Sequence, residues 1–414
     1  MVVFWQPLVN QVMKTKIMIN QIHLKYCTVV VTLFLIGCTG EKPLEIEVVN
    51  HLNIDRSLET VEIDLALLQS DESLKLVTGK SYKVSEVGSG TELVSQLSDV
   101  DGDGAADVLL IQPEIAANSS KTFNITLKEA IAGSEDIPTC YSRFVPERTD
   151  DYAWENDRVA FRTYGPVAQK MIEDSIPGGT LSSGMDAWLK RVDYPIINKW
   201  YKKELETEGT YHEDDGEGLD NFHVGTSRGV GGIAVKADTT YQFSRNFTDY
   251  KTIETGPLRT SFWITYAPWK AGDKTIAEKK FISLDRGSNL SKYRVEVNGS
   301  ETISVGLTLH EKDGEIAAEV EQGWVSYWEP YFGSELGTGV VVPSNAMLGY
   351  DKYMTNAKDL SNLYAQVKVI NGEAVYYTGF GWKKSKQFNS KEEWNAYLKE
   401  FAQKVNAPLE VKVK

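Results

Sequence analysis

Cysteine is nearly absent from this chain. Its three cysteines are Cys27, Cys38 and Cys140, and the first two fall in an N-terminal segment with the make-up of an export signal. Cys140 is then alone in the mature chain, so no intramolecular disulfide can form and the fold must be held by its core. No activating pattern surrounds Cys140, which reads as a small buried residue. The common nucleotide and hydrolase signatures are also missing. There is no P-loop, no GxGxxG after a strand, no HExxH and no GxSxG, which removes the usual support for ATP, dinucleotide, zincin and serine-hydrolase chemistry. Positive charge is in deficit, with 44 Lys and Arg against 58 Asp and Glu and a net charge of −14. That argues against nucleic acid as a partner, because phosphates demand a basic surface. It leaves room for an anionic sugar, which a local arginine cluster can bind on an acidic protein. There is no internal repeat and no low-complexity linker.

What is present begins with targeting. Lys14, Lys16 and Lys25 precede an apolar run over 27–36 that ends in Leu35-Ile36-Gly37-Cys38. The run is about half the roughly 20 apolar residues that a membrane span needs. The pattern is that of a lipoprotein signal over 1–38 with Cys38 as the lipidated residue. A palmitate-bearing cysteine would tether the chain to the bacterial cell envelope, on the outer membrane or its periplasmic side. No second long hydrophobic run follows, so the lipid is expected to be the membrane attachment.

About 375 residues remain after the signal, enough for one large domain plus a small one. Residues 39–135 read as a small β domain of short runs rich in β-branched residues. Residues 136–414 read as a large antiparallel β-sandwich of the galactose-mutarotase-like supersandwich type with a few helices, since many long strand patterns follow one another without βαβ alternation. The segment 160–175 starts as a strand and turns helical after Pro166. Residues 181–208 carry apolar and aromatic residues at mixed helical spacing, broken by Pro195. Residues 391–405 form an amphipathic helix, with Trp394, Leu398, Phe401 and Val405 on the core side.

Chemistry concentrates in 147–232, which joins aromatic rings, carboxylates, two of the five histidines and several arginines to turn-forming glycines. Strands and loops of this make suit a polar ligand with flat faces, as a sugar is. His212 and His223 flank EDDGEGLDNF, and the imidazole side chain is the type suited to acid–base work near neutral pH. With Asp214, Asp215 and Asp220 they could instead supply ligands to a metal, and a solvated acidic loop is the plain alternative. Arg148, Arg162, Arg228 and Arg259 stand among aromatics and glycines, where a guanidinium can pair bidentately with a carboxylate or sulfate. Trp154, Tyr164, Tyr266, Trp269, Trp324, Tyr327 and Trp328 are candidate stacking platforms, although rings in alternating strands commonly form core. Glu155, Asp157 and Glu329 could make a glycosidase carboxylate pair. In the small domain, Asp99, Asp101, Asp103 and Asp107 have the spacing of a calcium loop, which lacks the closing Glu of an EF-hand. A turn in which Asp bonds its own backbone fits the same residues.

The motifs RFVPERTDDYAWENDRVAFRTYGP, DAWLKRVDYPIINKWY, YHEDDGEGLDNFHVG followed by GVGG, and TGFGWKKS resemble the ulvan oligosaccharide dehydratase-like lipoproteins of Bacteroidetes polysaccharide-utilisation loci, a family long filed as a domain of unknown function. The likeness spans most of the mature chain. It implies a carbon–oxygen lyase acting on sulfated uronic-acid oligosaccharides. Water would be eliminated from the non-reducing-end uronic acid to give a 4,5-unsaturated uronyl residue. Arg228-Gly229 departs from the family pattern, so the resemblance carries no catalytic role to Arg228. A glycoside hydrolase or epimerase on the same sugars, or a non-catalytic sugar-binding surface lipoprotein, remains the alternative.

Such an elimination needs a cation against developing enolate charge, a base for H5 and an acid for the departing hydroxyl. The residues proposed for these tasks are Arg162 or Arg228 as cation, His212 or His223 as base, and Tyr164 or Tyr266 as acid. Trp154 and Trp269 would stack the sugar, Glu155 or Asn156 would hold its hydroxyls, and Arg228 and Arg259 are expected to reach its anionic groups. The sequence points to no definite cofactor, and calcium at the Asp99–Asp107 loop is the candidate.

Overall fold

The computed structural model describes residues 43–130 and 137–414. The signal over 1–38 and Cys38 lie outside the described residues. The described chain is mainly β, in several antiparallel sheets, and Pro43–Lys414 groups into one compact unit.

The large sheet is built from strands Phe247–Glu254, Arg259–Tyr266, Lys274–Asp285, Leu290–Asn298, Glu373–Trp382, Ser334–Val341, Trp324–Tyr331 and Glu315–Glu319, in that spatial order, with Trp269–Ala271 paired to Lys274–Asp285. Strand Lys274–Asp285 shows why it is a two-faced strand. Ile276, Glu278, Lys280, Ile282 and Leu284 alternate inward, while Ala277, Lys279 and Phe281 between them are partly exposed, the period of two that a pleated strand imposes. A five-stranded sheet of Thr240–Gln242, Val230–Ala237, Thr302–Thr308, Asn362–Lys368 and Met347–Tyr353 contributes to the same core. Ile233, Val305 and Leu363 from this sheet join Ile264, Ile282, Tyr293 and Val340 from the large one.

Another sheet carries the chemistry. Its order is Gly218–Leu219, Asp186–Lys190, Ala160–Thr163, Asp151–Glu155 and Tyr141–Val145. One face is aromatic and joins the core, with Tyr152 stacked on Phe262 at 4.1 Å and Phe161 edge-on to Phe380 at 5.3 Å. The other face packs Ala153, Ala160 and Trp188 under Ile197, Trp200 and Tyr201 of helix Ile197–Glu206. The segment expected to be two helical pieces around Pro195 is therefore a strand followed by a helix. All five residues of Asp186–Lys190 are buried, and a central strand with both faces covered loses the alternation that marks a strand in sequence. The expected helix after Pro166 runs Pro166–Glu173, and that near the C-terminus runs Lys391–Asn406 with Trp394 and Leu398 buried.

The small β module has its own core of Ile46, Val48, Ile63, Leu109, Phe123 and Ile125. It is not contiguous in sequence. Strand Leu44–Val49 pairs on one side with Ser120–Glu129 and on the other with the last strand, Glu410–Val413. Gln96 fixes the module to the sandwich, its Oε1 accepting from the backbone N–H groups of Leu258 and Arg259 at 2.9 and 3.0 Å.

Candidate active site

Arg162 projects from strand Ala160–Thr163 onto the face under helix Ile197–Glu206. The antiparallel register sets Asp186 directly opposite. Asp186 Oδ2 accepts from Arg162 Nε at 3.0 Å and Nη2 at 2.5 Å, and Asp220 Oδ2 accepts from Nη2 at 2.8 Å. Nη1 donates to the Tyr211 hydroxyl at 3.1 Å and lies 3.7 Å from Asp151 Oδ2. Tyr164, two residues along, donates its hydroxyl to Asp186 Oδ2 at 3.0 Å.

Three buried carboxylates thus surround one arginine, with Arg148 as the second cation close to Asp151. Burial disfavours the charged form of a carboxylate, and it acts here against the arginine. Burial pushes Asp151 up to about 6. Asp186 rises to about 7, through burial first and the Asp220 charge second. Asp220 is raised by burial as well. Asp186 Oδ1 is buried without a hydrogen-bond partner among the described residues. A carboxyl that titrates near neutrality and keeps one oxygen unengaged is equipped to store a proton.

His212 adjoins this cluster. Its Nδ1 lies 2.5 Å from the backbone oxygen of Asp220 and 3.8 Å from Asp220 Oδ2. The side chain is 53% exposed. His212, Asp220, Arg162, Asp186 and Tyr164 therefore form one chain of contacts.

A second cluster is joined to the first by residues 221–223. Glu329 and Tyr331, two apart on strand Trp324–Tyr331, share a face. The Tyr331 hydroxyl donates to the Asn221 carbonyl at 2.7 Å and accepts from the His223 N–H at 3.2 Å. His310 Nδ1 lies 2.6 Å from Glu329 Oε1, and its Nε2 lies 3.1 Å from the His223 carbonyl oxygen. A carbonyl can only accept, so Nε2 carries a hydrogen, and one further proton sits between Nδ1 and Glu329. Burial raises the Glu329 carboxyl. His223 Nε2 meets Asp359 Oδ2 at 3.2 Å. Gly225 stands beside that pair at φ +50°, where a Cβ would lie 2.0 Å from Asp359 Oδ2, so a side chain there would displace Asp359. Phe332 is 70% exposed next to Tyr331, their ring centroids 4.9 Å apart and near perpendicular.

Backbone strain also gathers here. Phe332 has φ 43°, and Thr149 and Asp150, directly after Arg148, have φ 52° and 63°. Non-glycine residues in this region each cost on the order of 1–3 kcal/mol and concentrate at functional sites.

Of the residues singled out in the sequence, His212, Tyr164 and Arg162 come together, and His223 joins the adjoining cluster. Arg162 is engaged by Asp186, Asp220 and Tyr211, so it orders the network and is not open to an enolate. The expected platforms and binding groups are corrected. Trp154 has no exposed surface, stacks on Phe161 at 5.2 Å and donates to Ser291 Oγ, and a ring without surface cannot stack on a sugar. Glu155 is buried in an ion pair with Lys190 at 2.7 Å and accepts from the N–H groups of Ile196 and Ile197 at the start of a helix. That also removes it as the partner of Glu329. Asn156 holds the turn at 285–288 through two backbone oxygens, and Asp157 Oδ1 accepts from the Gly287 N–H. Arg228 is buried 3.7 Å over the Phe243 ring and bonds Ser183 Oγ, and burial lowers its pKa to about 10. Tyr266 and Trp269 are core residues, with Lys280 over the Tyr266 ring. Trp324, Tyr327 and Trp328 are buried too. Arg259 is gripped by Asp285 and Glu62.

In the histidine loop no metal-ligating group gathers among the described residues. Asp214 pairs with Arg191 and Asp215 with Lys203, and among the described residues the one carboxylate group that converges is Asp99, Asp101 and Asp107. Its all-oxygen donor set suits a hard cation. Yet both Asp99 oxygens already accept from the N–H groups of Gly102 and Gly104, and Asp103 accepts from that of Ala105, as a turn would have them.

Sequence reasoning passed over Asp186, Tyr211, His310, Tyr331 and Phe332. A buried Asp inside an otherwise apolar strand (DAWLK) was the available signal for Asp186. His310 lies in the bend after strand Thr302–Thr308 and Glu329 in strand Trp324–Tyr331, and no local pattern pairs them.

Comparison with known proteins places this architecture among relatives. The family described as "Domain of unknown function (DUF4861)" matches residues 48–411. "Uncharacterized protein P7" of Formosa agariphila is 55% identical over 372 residues, covering 89% of this chain and 93% of that protein. Among solved structures, a protein in the glycosyl hydrolase family 38 from Enterococcus faecalis is similar with a TM-score of 0.50 at 11% identity, over 91% of this chain and 48% of that one. An alpha-mannosidase from Enterococcus faecalis V583 has a TM-score of 0.45 at 12% identity, over 90% of this chain and 46% of that one. The chain spans about half the length of these two structures. At such identity, the likeness to the first shows the sandwich fold alone.

Proposed function

The chain belongs to the DUF4861 family, and we propose that it is a hydro-lyase acting on ulvan-derived oligosaccharides. In this reading it removes water from the non-reducing-end uronic acid and leaves a 4,5-unsaturated uronyl residue. The observation that carries the acid–base reading is the pairing of an exposed, oriented imidazole, His212, with a near-neutral carboxyl, Asp186, through one contact chain. The nature of the sugar rests on the resemblance of the motifs quoted above.

Arg148 is proposed to take the substrate carboxylate. It has no carboxylate within 4.0 Å among the described residues, unlike Arg162. Its charge would hold the enolate that forms as H5 departs. His212 Nε2 accepts H5, the C5–H electrons form the C4=C5 bond, and the C4–O bond breaks. The leaving hydroxyl takes the Tyr164 proton and departs as water, and Tyr164 is reprotonated from Asp186. Phe332 offers the sugar-facing ring, and His223 and His310 the polar wall.

No step of this proposed reaction is routed through a metal ion. Calcium at Asp99, Asp101 and Asp107 would be a structural ion of the small module, and a calcium-dependent rise in Tm that Asp101→Ala removes is its test. Lipidation at Cys38 would hold the enzyme at the cell envelope, and the mass of the mature N-terminal peptide tests that.

The decisive assay incubates purified protein with saturated uronic-acid-ended ulvan oligosaccharides. Loss of one water in mass, with new ultraviolet absorbance from the conjugated double bond, is expected. Cleaved products without that absorbance would mean a hydrolase, and an unchanged mass with binding would mean a sugar-binding lipoprotein.

A further inference from the structure

A cavity of about 500 Å³ lies between the outer face of the large sheet, the helix Lys391–Asn406 and the small β module, formed by residues outside the cluster at His212. Among the described residues, two of its cations, Lys292 and Arg158, lack an ion-pair partner. Lys292 lines it from strand Leu290–Asn298, and its ammonium makes no hydrogen bond or ion pair with the described residues. Arg158 lines it too, its guanidinium reaching the side-chain oxygen of Asn289 at 3.4 Å and no carboxylate within 4.0 Å. The carboxylates of the same wall are already engaged. Glu62 and Asp285 are held by Arg259 at 2.7 and 2.6 Å, and Glu59 by Arg56.

Lys292 sits on the face of its strand opposite Ser291 and Tyr293, which point into the core. Burial lowers its pKa, ahead of the opposing pull of Glu62, so its charge is held at a cost that an anion would relieve. Tyr397 and Phe401 give the cavity a ring-lined wall, and Ser57 and Ser283 bring hydroxyls that bond no described side chain. Flat apolar surface, unengaged hydroxyls and unpaired cations in a space of several hundred Å³ are the requirements for one small polar ring bearing an anion.

We infer that this cavity is a second ligand site, separate from the reaction site, which takes an anionic mono- or disaccharide with its carboxylate or sulfate on Lys292 and Arg158. The inference stands on the cavity's own residues and not on the dehydration chemistry. One occupied, sugar-specific site remote from the reaction would let the protein retain a product or a neighbouring chain end while the first site turns over.

The test is calorimetric titration of the full-length protein with glucuronate, glucose 6-sulfate, glucose and inorganic sulfate. It is repeated for Lys292→Met, Arg158→Gln and, as a background with the reaction site impaired, His212→Ala. Expected are binding of both anionic sugars, at least tenfold weaker binding of glucose and of sulfate alone, a tenfold or greater loss in both cavity variants, and full retention in His212→Ala. Oligosaccharide turnover should survive in Lys292→Met, which reports that the variant is folded. Equal affinity in the parent and both cavity variants overturns the inference. So does binding that disappears in His212→Ala, which would assign it to the reaction site, and so does sulfate binding as tight as that of the sugars, which would leave a simple anion site. Loss of turnover in His212→Ala without any change in cavity binding separates the two sites, whichever of the two readings fails.

Discussion

His212 Nδ1 is 2.5 Å from the backbone carbonyl oxygen of Asp220. Because that oxygen can only accept, Nδ1 must carry the hydrogen, and the lone pair is fixed on Nε2. Asp220 contributes twice, since its carboxylate also accepts from Arg162. The same residue thus sets the tautomer of the proposed base and anchors the arginine that organises the proposed acid. His212→Ala is expected to reduce kcat by about 100- to 10,000-fold, the usual worth of one positioned proton transfer. Its Tm should stay within a degree or two, because the side chain is half exposed. Steady-state kinetics beside thermal melts check this, and full activity in the variant would remove His212 as the base.

Asp186 makes a prediction in pH. Its folded pKa is about 7, above the ordinary carboxylate value of about 4. The native state therefore binds a proton that the unfolded state has released. This group's contribution to stability is full below about pH 4 and is lost as pH rises through about 7. As the proton store it also gives kcat an alkaline limb near 7. In Asp186→Asn the limb should vanish together with most of the activity. The Tm difference between variant and parent should shift in favour of the variant from pH 5 to pH 8.

Phe332 couples strain to exposure. Relieving a left-handed non-glycine residue contributes about 1–2 kcal/mol, part of which glycine's extra unfolded-state freedom offsets. Phe332→Gly should leave Tm equal or higher, yet raise KM about tenfold, equivalent to about 1.4 kcal/mol of binding. A Tm that drops by many degrees would show that the ring packs structurally.

Glu155 separates structure from function. Removing one member of its buried pair with Lys190 leaves an uncompensated charge and costs about 3–5 kcal/mol. Glu155→Ala should therefore be the least stable of these variants by urea unfolding. Its kcat per folded molecule should be close to that of the parent, since neither charge touches the site.

The parts of this molecule legible in sequence were those whose signal is local. Helix Lys391–Asn406 announces itself through Trp394 and Leu398 one turn apart, and strand Lys274–Asp285 through its alternation. Asp186–Lys190 was misread because a strand covered on both faces shows no period of two. The site was legible as a region, since His212, Tyr164 and Arg162 are chemically conspicuous. It was not legible as an arrangement. Trp154 and Glu155 look like ligand groups in sequence because they sit among polar residues, but the strand turns the ring into the core and the carboxylate under a helix. His310, just past strand Thr302–Thr308, meets Glu329 of strand Trp324–Tyr331 across two sheets, a contact that no spacing encodes.

The pairing of Leu44–Val49 with Glu410–Val413, Ile46 opposite Val413, makes the described chain a nearly closed loop. Glu410–Val413 is the edge strand, so it can leave while Leu44–Val49 stays paired with Ser120–Glu129. Deleting the last five residues would bare the ladder edge of strand Leu44–Val49, and an unpaired edge can recruit strands from other molecules. A linker joining the two ends, with a new opening cut in an exposed turn such as 311–314, should by contrast fold unaided.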